Sequence, residues 1–256
     1  MLVFDVIVLD LDGTILKDNK TVSKLTLSTL KKFEDMGKQI IIATARPPRL
    51  GSIELPEVLQ KEFMLFYNGA EIHHNKKKIY SSCISLDSAE YIRNLVLTQY
   101  THCKIGFELD DELYTNLTTE NIFGTNQYTK IDLNTFKLKP VTKILLDMSS
   151  IDDINALRSK LPYDCNLIVT DKGQLGQIMK KGVSKLNGLN HILDKLNISI
   201  NKTIFFGDDT NDIELINACG TGVAMGNAVT EVKQVADYVT LSNEEDGVAY
   251  FLNELI

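Results

Sequence analysis

The chain has 256 residues, enough to bury one large core or two modest ones. Its 44% hydrophobic and 24% charged residues are ordinary for a globular protein that folds in water. With 27 Lys and Arg against 34 Asp and Glu, the formal net charge of −7 argues against nucleic acid or an anionic membrane as the main partner, while small anions need only a few well-placed groups.

In chain order, the N-terminal MLVFDVIV has no basic region and Asp5 interrupts it, so it does not read as a signal peptide. Val6–Leu9, Ile40–Ala43, Met64–Tyr67 and Thr203–Phe206 are short apolar, β-branched runs, the pattern of strands buried on both faces. Ser23–Met36 predicts a helix whose buried stripe is Leu25, Leu27, Leu30, Phe33 and Met36, stopped by Gly37. Asn75–Lys78 reads as a solvated turn. Lys78–Ile84, Lys104–Asp110, Glu112–Asn116, Thr142–Met148 and Asn166–Thr170 read as strands, with helical patterns at Ser88–Gln99 and Asp152–Leu161 and a hairpin at Asp110-Asp111. Ser184–Leu196 predicts a helix capped by Ser184, with Leu186, Leu189, Ile192, Leu193 and Leu196 buried. Further helices are expected at Asp212–Ala218 and Val229–Ala236. The fold class is therefore α/β, a Rossmann-like parallel sheet core at 1–77 and 184–256, interrupted by an α+β module at 78–183.

Ligands of open α/β sheets bind at the carboxyl ends of the strands. There the first strand ends in Asp10 and Asp12, the second in Thr44, Ala45 and Arg46, and Thr203–Phe206 in Gly207, Asp208, Asp209, Thr210, Asn211 and Asp212. Lys185 stands at a helix start. Gathered without a partner, those carboxylates would repel one another. A hard divalent cation removes the conflict, and Mg²⁺ prefers oxygen ligands and commonly shares them with a phosphate.

D-L-D-G-T at Asp10–Thr14, Thr44, Lys185 and G-D-D-T-N-D at Gly207–Asp212 resemble, in order and spacing, the four motifs of the haloacid dehalogenase superfamily phosphatases. The long insertion and Y-N-G-A-E-I at Tyr67–Ile72 resemble the Cof-type subfamily, with its α+β (C2B-type) cap. The resemblance implies a Mg²⁺-dependent phosphatase acting on a small phosphorylated metabolite, such as a sugar phosphate, nucleotide or phosphorylated cofactor. Asp10 would be the nucleophile that forms an aspartyl-phosphate, and Asp12 the general acid and then base. The metal contacts would be Asp10, the backbone carbonyl of Asp12, and Asp208. Phosphoryl oxygens would be held by Thr44, Lys185, Asn211 and the amides of Leu11 and Ala45, with Asp212 ordering the groups behind them. Three departures stand out: Ala45 where glycine is frequent, Leu186 after the lysine, and Gln177 where relatives often carry an acid.

Each motif alone has a plainer reading: a D-x-D-G turn, a capping Thr44 or Asn211, a solvated Lys185. Their coincidence at strand ends favours catalysis. His73-His74 reads as a surface strand edge, since neighbours on a strand face opposite ways. Cys83, Cys103, Cys165 and Cys219 form no C-x-x-C pair and read as apolar fillers in a reduced, cytoplasmic setting. No run of about 18 apolar residues predicts a membrane span. The alternatives are a sugar phosphomutase and, from another class, a phosphoaspartate signalling receiver. Oligomeric state is not legible.

Overall fold

Val6–Leu9 forms strand β1, and all four of its residues are buried. In the computed structural model, which describes residues 3–51, 55–116, 127–170 and 173–256, the chain divides into two compact units, Met1–Tyr80 with Ser184–Ile256, and Ser81–Val183. The first unit continues with α1 (Lys24–Asp35), β2 (Gln39–Ala43), α2 (Pro48–Gly51), β3 (Phe63–Phe66), β4 (Glu71–His74) and β5 (Lys77–Ser81). The second unit holds α3 (Leu86–Gln99), β6 (Ile105–Leu109), β7 (Glu112–Thr115), β8 (Thr129–Lys130), β9 (Lys143–Asp147), α4 (Ile154–Lys160), β10 (Cys165–Thr170) and β11 (Leu175–Lys180). The chain then returns to the first unit as α5 (Lys185–Leu196), β12 (Thr203–Gly207), α6 (Ile213–Ala218), β13 (Thr221–Ala224), α7 (Thr230–Val235), β14 (Tyr238–Val239) and α8 (Gly247–Asn253).

The first unit's sheet has eight strands in the order β14-β13-β12-β1-β2-β3-β4-β5. From β14 to β3 every pairing is parallel, and β4 returns antiparallel to β3. Parallel strands joined through helices carry those helices on the sheet faces, which explains why β1, β3 and β12 are buried throughout. Ser23 caps α1 and Ser184 caps α5, each side chain accepting the backbone N–H three residues on, from Thr26 and Asn187.

The second unit is a six-stranded sheet, β10-β11-β9-β6-β7-β8, antiparallel except at the β7–β8 edge. The hydrophobic core on one sheet face joins Ile105, Phe107, Ile144, Leu146, Leu167 and Ile178 to Ile92, Leu95 and Val96 of α3. Asp110 and Asp111 both take positive φ, the two-residue hairpin expected there.

Several expectations need correction. The Lys78–Ile84 strand belongs to the first unit's sheet as β5 and stops at Ser81. Asn75 and Lys76 both take left-handed φ, so the chain reverses in two residues and lays β5 beside β4. That reversal makes β4 an interior strand rather than an edge. His74 stacks on Phe63 and His73 packs edge-on against Phe66. On α1 the buried residues are Thr26, Thr29, Leu30 and Phe33, while Leu25 and Met36 are 49% and 56% exposed. At roughly 100° per residue, Leu25, Leu27 and Met36 fall on the flanks of the Leu30–Phe33 line. On α5, Leu186 and Leu196 are only half-buried, and Lys185 is buried instead. The strands β11, β13 and β14 and the helix α8 carry patterns too short or too glycine-broken to stand out in sequence. Cys103 and Cys219 are buried and Cys83 and Cys165 half-buried. Burial pushes the Cys103 and Cys165 thiols up to about 12 and Cys219 to about 11, which leaves these three unreactive.

Candidate active site

The sheet delivers the acidic residues to one edge. The Asp10 amide donates to the Phe206 carbonyl at 3.0 Å, extending the β1–β12 ladder one residue and fixing Asp10 at the tip. Asp208 follows β12 directly. One carboxylate oxygen each of Asp10, Asp208 and Asp212 lies within 4.8 Å of the others. Gly13 makes the close approach possible. Its φ is +69°, and a Cβ there would stand 2.2 Å from Asp208 Oδ2.

Lys185 is 2% exposed and bridges two of these acids. Its Nζ donates to Asp10 Oδ1 at 2.5 Å and to Asp212 Oδ1 at 2.7 Å. The other Asp212 oxygen accepts the amides of Asp208 at 3.0 Å and Asp209 at 3.2 Å. Both Asp212 oxygens are thus engaged, by Lys185 and by the loop amides. Burial would push the Lys185 ammonium down, but Asp10 and Asp212 outweigh it and keep the group protonated. Burial raises Asp10 well above the usual carboxylate range, with Asp212 and Asp208 adding to the effect against Lys185. Burial, then Asp212 and Asp209, push Asp208 up to about 7.

Asp12 faces a different environment. Arg46 grips it bidentately, Nε to Oδ2 at 2.6 Å and Nη2 to Oδ1 at 2.5 Å, and Lys20 Nζ reaches Oδ1 at 2.9 Å. Burial works against ionisation, but the hydrogen bonds from Arg46 and Lys20 prevail and hold the carboxyl below its ordinary value. Thr44 is 1% exposed; its amide donates to the Leu65 carbonyl and its Oγ1 accepts the Arg46 amide at 3.1 Å.

Asp10, Asp12, Gly13, Thr44, Ala45, Asp208, Asp209 and Asn211 line one cleft of about 250 Å³, room for a phosphoryl group and a few waters. The fold therefore gathers every expected side chain at one place, with Lys185 and Asp212 buried against it. The Leu11 side chain is fully buried and does not line the cleft. Arg46, which follows Thr44 and Ala45 at the end of the second strand, is tied to Asp12. Lys20 and Asn68 went unread. Lys20 lies in a polar loop with no motif, and Asn68 is visible only as part of Y-N-G-A.

The model for the haloacid dehalogenase-like hydrolase family matches residues 7–252. This chain belongs to that family. The hydrolase is 34% identical over 262 residues to the 5-amino-6-(5-phospho-D-ribitylamino)uracil phosphatase YitU of Bacillus subtilis, covering 97% of this chain and 96% of the relative. It is 30% identical over 254 residues to the putative phosphatase YkrA of the same organism, covering 96% and 95%. Among solved structures, a haloacid dehalogenase-like hydrolase from Bacteroides thetaiotaomicron superposes with a TM-score of 0.82 at 27% identity, covering 99% of this chain and 100% of that one. A Thermotoga maritima protein gives 0.85 at 24% identity over 98% and 97%, a likeness of fold. Membership sets the signalling-receiver alternative aside. Among the described residues no helix is long and apolar enough to cross a membrane.

The donor set suits a hard cation: all-oxygen ligands, with two carboxylates whose burial and mutual repulsion call for positive charge. Asp10, Asp208 and the Asp12 carbonyl would hold it, and the charge it supplies would keep Asp10 ionised. Mg²⁺ should accordingly raise the melting temperature, and more so near about pH 8 than near about pH 5. The sign follows from the folded-state shift. Asp208, at about 7 in the fold against about 3.9 unfolded, binds its proton more tightly when folded. Without metal, its contribution to stability is therefore lost as pH rises between those values, and at higher pH the cation replaces the proton. An equal Mg²⁺ increment at both pH values in thermal melts would contradict this.

Proposed function

We propose that this hydrolase is a Mg²⁺-dependent phosphatase that removes phosphate from a small metabolite through an aspartyl-phosphate on Asp10. The observation that carries the reading is the buried Lys185 ammonium held between Asp10 and Asp212, beside Asp208, at the tip of a parallel sheet. An ionised carboxylate needs no activating base, and the ammonium at 2.5 Å supports its ionisation. An Asp10 oxygen attacks phosphorus, and the bond from phosphorus to the leaving oxygen breaks. Asp12 supplies the proton that oxygen takes up. Water then attacks the phosphoryl group, Asp12 removes its proton, and the bond to Asp10 breaks to release inorganic phosphate.

As seen, Asp12 is held ionised by Arg46 and Lys20, the state suited to the second step. Its first role needs a proton on Asp12, taken up from solvent when one of those cations turns from Asp12 to the incoming phosphate ester. Thr44 Oγ1, the Ala45 and Leu11 amides and Asn211 would receive phosphoryl oxygens, and the Lys185 charge would offset those that develop in transfer. Ser81–Val183 would act as the cap that selects the leaving group. YitU, YcsE and YwtE of Bacillus subtilis all bear the name 5-amino-6-(5-phospho-D-ribitylamino)uracil phosphatase, at 34%, 29% and 24% identity. A phosphorylated ribityl compound is therefore the first substrate to try.

The test is release of inorganic phosphate from a panel of phosphate esters that includes that compound. Turnover should require Mg²⁺ and stop with EDTA. Undiminished turnover after EDTA treatment would refute the metal requirement. Transfer of phosphate within a sugar, in place of its release, would favour the phosphomutase reading.

A further inference from the structure

Y-N-G at Tyr67–Gly69 has no part in the chemistry above, yet its backbone is unusual. Tyr67, Asn68 and Gly69 take φ of +51°, +54° and +90° in succession. A left-handed conformation is unfavourable for a residue with a side chain, and for a bulky residue such as tyrosine it is rare. Two such residues side by side persist only where their surroundings hold them, and such strain clusters at functional sites.

The surroundings are the phosphoryl-binding elements themselves. The Tyr67 amide donates to the Arg46 carbonyl and the Asn68 amide to the Thr44 carbonyl, both at 3.0 Å, so the turn clamps the Thr44–Arg46 loop from beneath. Gly69 lies so close to the start of α5 that a Cβ on it would come within 2.5 Å of the Ser184 carbonyl, one residue from Lys185. Asn68 is 8% exposed and does not line the cleft. Its Oδ1 accepts from Asn211 Nδ2 at 3.5 Å, a long hydrogen bond. A carboxamide can face either way round. Asn211 lines the cleft and Asn68 does not, so the acceptor on Asn68 fixes which end of the Asn211 carboxamide carries its donors, and the second N–H can serve an oxygen in the cleft.

We infer that Asn68 is a positioning residue: it fixes the orientation of the Asn211 carboxamide for phosphoryl recognition, and the left-handed turn exists to place it there. This rests on the reading of the cleft as a phosphoryl site. It predicts an effect that travels through Asn211 and is indifferent to the leaving group.

Asn68→Gly tests it, because glycine accepts positive φ without strain and removes only the carboxamide. With p-nitrophenyl phosphate and with a sugar phosphate, kcat/KM should fall by a similar factor, about tenfold for a misplaced contact. The inhibition constant of inorganic phosphate should weaken alongside, while the melting temperature stays near that of the parent. In the Asn211→Ala background the same change should have no further effect. Asn68→Asp, which retains an acceptor oxygen and tolerates the left-handed turn, should recover kcat relative to Asn68→Gly. Should Asn68→Gly not fold, Asn68→Asp carries the cycle, and its loss too must vanish without Asn211. Multiplicative losses in the double variant, parental activity in Asn68→Gly, or a loss confined to one ester would overturn the inference. Asp10→Asn assayed in parallel keeps the two ideas apart: activity surviving there undermines the catalytic reading, whereas its loss with multiplicative Asn68 and Asn211 effects sinks only the positioning role.

Discussion

Asp10→Asn should abolish turnover, by roughly 10⁴-fold or more, as removal of a nucleophile does, and should leave the protein folded. The chemistry is simple. An amide oxygen does not attack phosphorus as a carboxylate does, so no phosphoenzyme forms. Stability should change little for a specific reason. Lys185 keeps Asp212 at 2.7 Å, and the substitution removes a buried carboxyl that Asp212 and Asp208 repel when it is ionised. A phosphate-release assay beside a thermal melt reads both effects. Substantial turnover by a well-folded Asp10→Asn protein would remove the aspartyl-phosphate from the mechanism.

Lys185→Met has the opposite balance, with large losses in both readouts. The side chain is 1% exposed, so methionine fits the volume but leaves Asp10 and Asp212 facing a gap with no positive charge. Breaking a buried pair from one side costs about 3–5 kcal/mol, because the remaining charge is uncompensated. The loss should be smaller at low pH, where a proton can settle on Asp10, and smaller with Mg²⁺ present. Loss of one preorganised charge at the reacting group costs a further 10²–10³-fold in kcat, order of magnitude. Urea unfolding at two pH values and steady-state kinetics on the folded fraction check the two parts. A Lys185→Met protein as stable as the parent would show that the ammonium is not what holds the acids together.

These two residues also show how unequally the site can be read. Asp10 stands at the end of an apolar run and four residues before Thr14, so its role is written in a contiguous stretch. Lys185 is recognisable by motif, yet its neighbours give no hint that it is buried. A lysine occupies the inward side of α5 only because two carboxylates, 175 and 27 residues away, are waiting for it. Arg46 stands two residues after Thr44 with nothing local to mark its partner; only the bidentate grip on Asp12 shows what it touches. The second Asp12 partner, Lys20, could not have been singled out, since nothing distinguishes it from the other exposed lysines until the loop folds back.

The same division runs through the fold. Alternating strands and helices, the interrupting α+β module, the Ser23 and Ser184 caps and the Asp110-Asp111 hairpin follow from local periodicity and turn chemistry, which neighbouring residues impose on one another. The buried face of α1 does not. Thr29 is inside because Asn253 of α8 donates to its Oγ1 at 3.1 Å, a partner 224 residues distant. Likewise β5 lies in the first unit's sheet because the left-handed Asn75 and Lys76 reverse the chain; the turn is legible in the sequence, the pairing that follows it is not. The sequence by itself determined the strand-end acids and hence the class of chemistry, since strand and turn form from short-range forces. Tertiary structure decided which charges are neutralised and by what, because burial and Coulomb attraction depend on distances that only the folded chain sets.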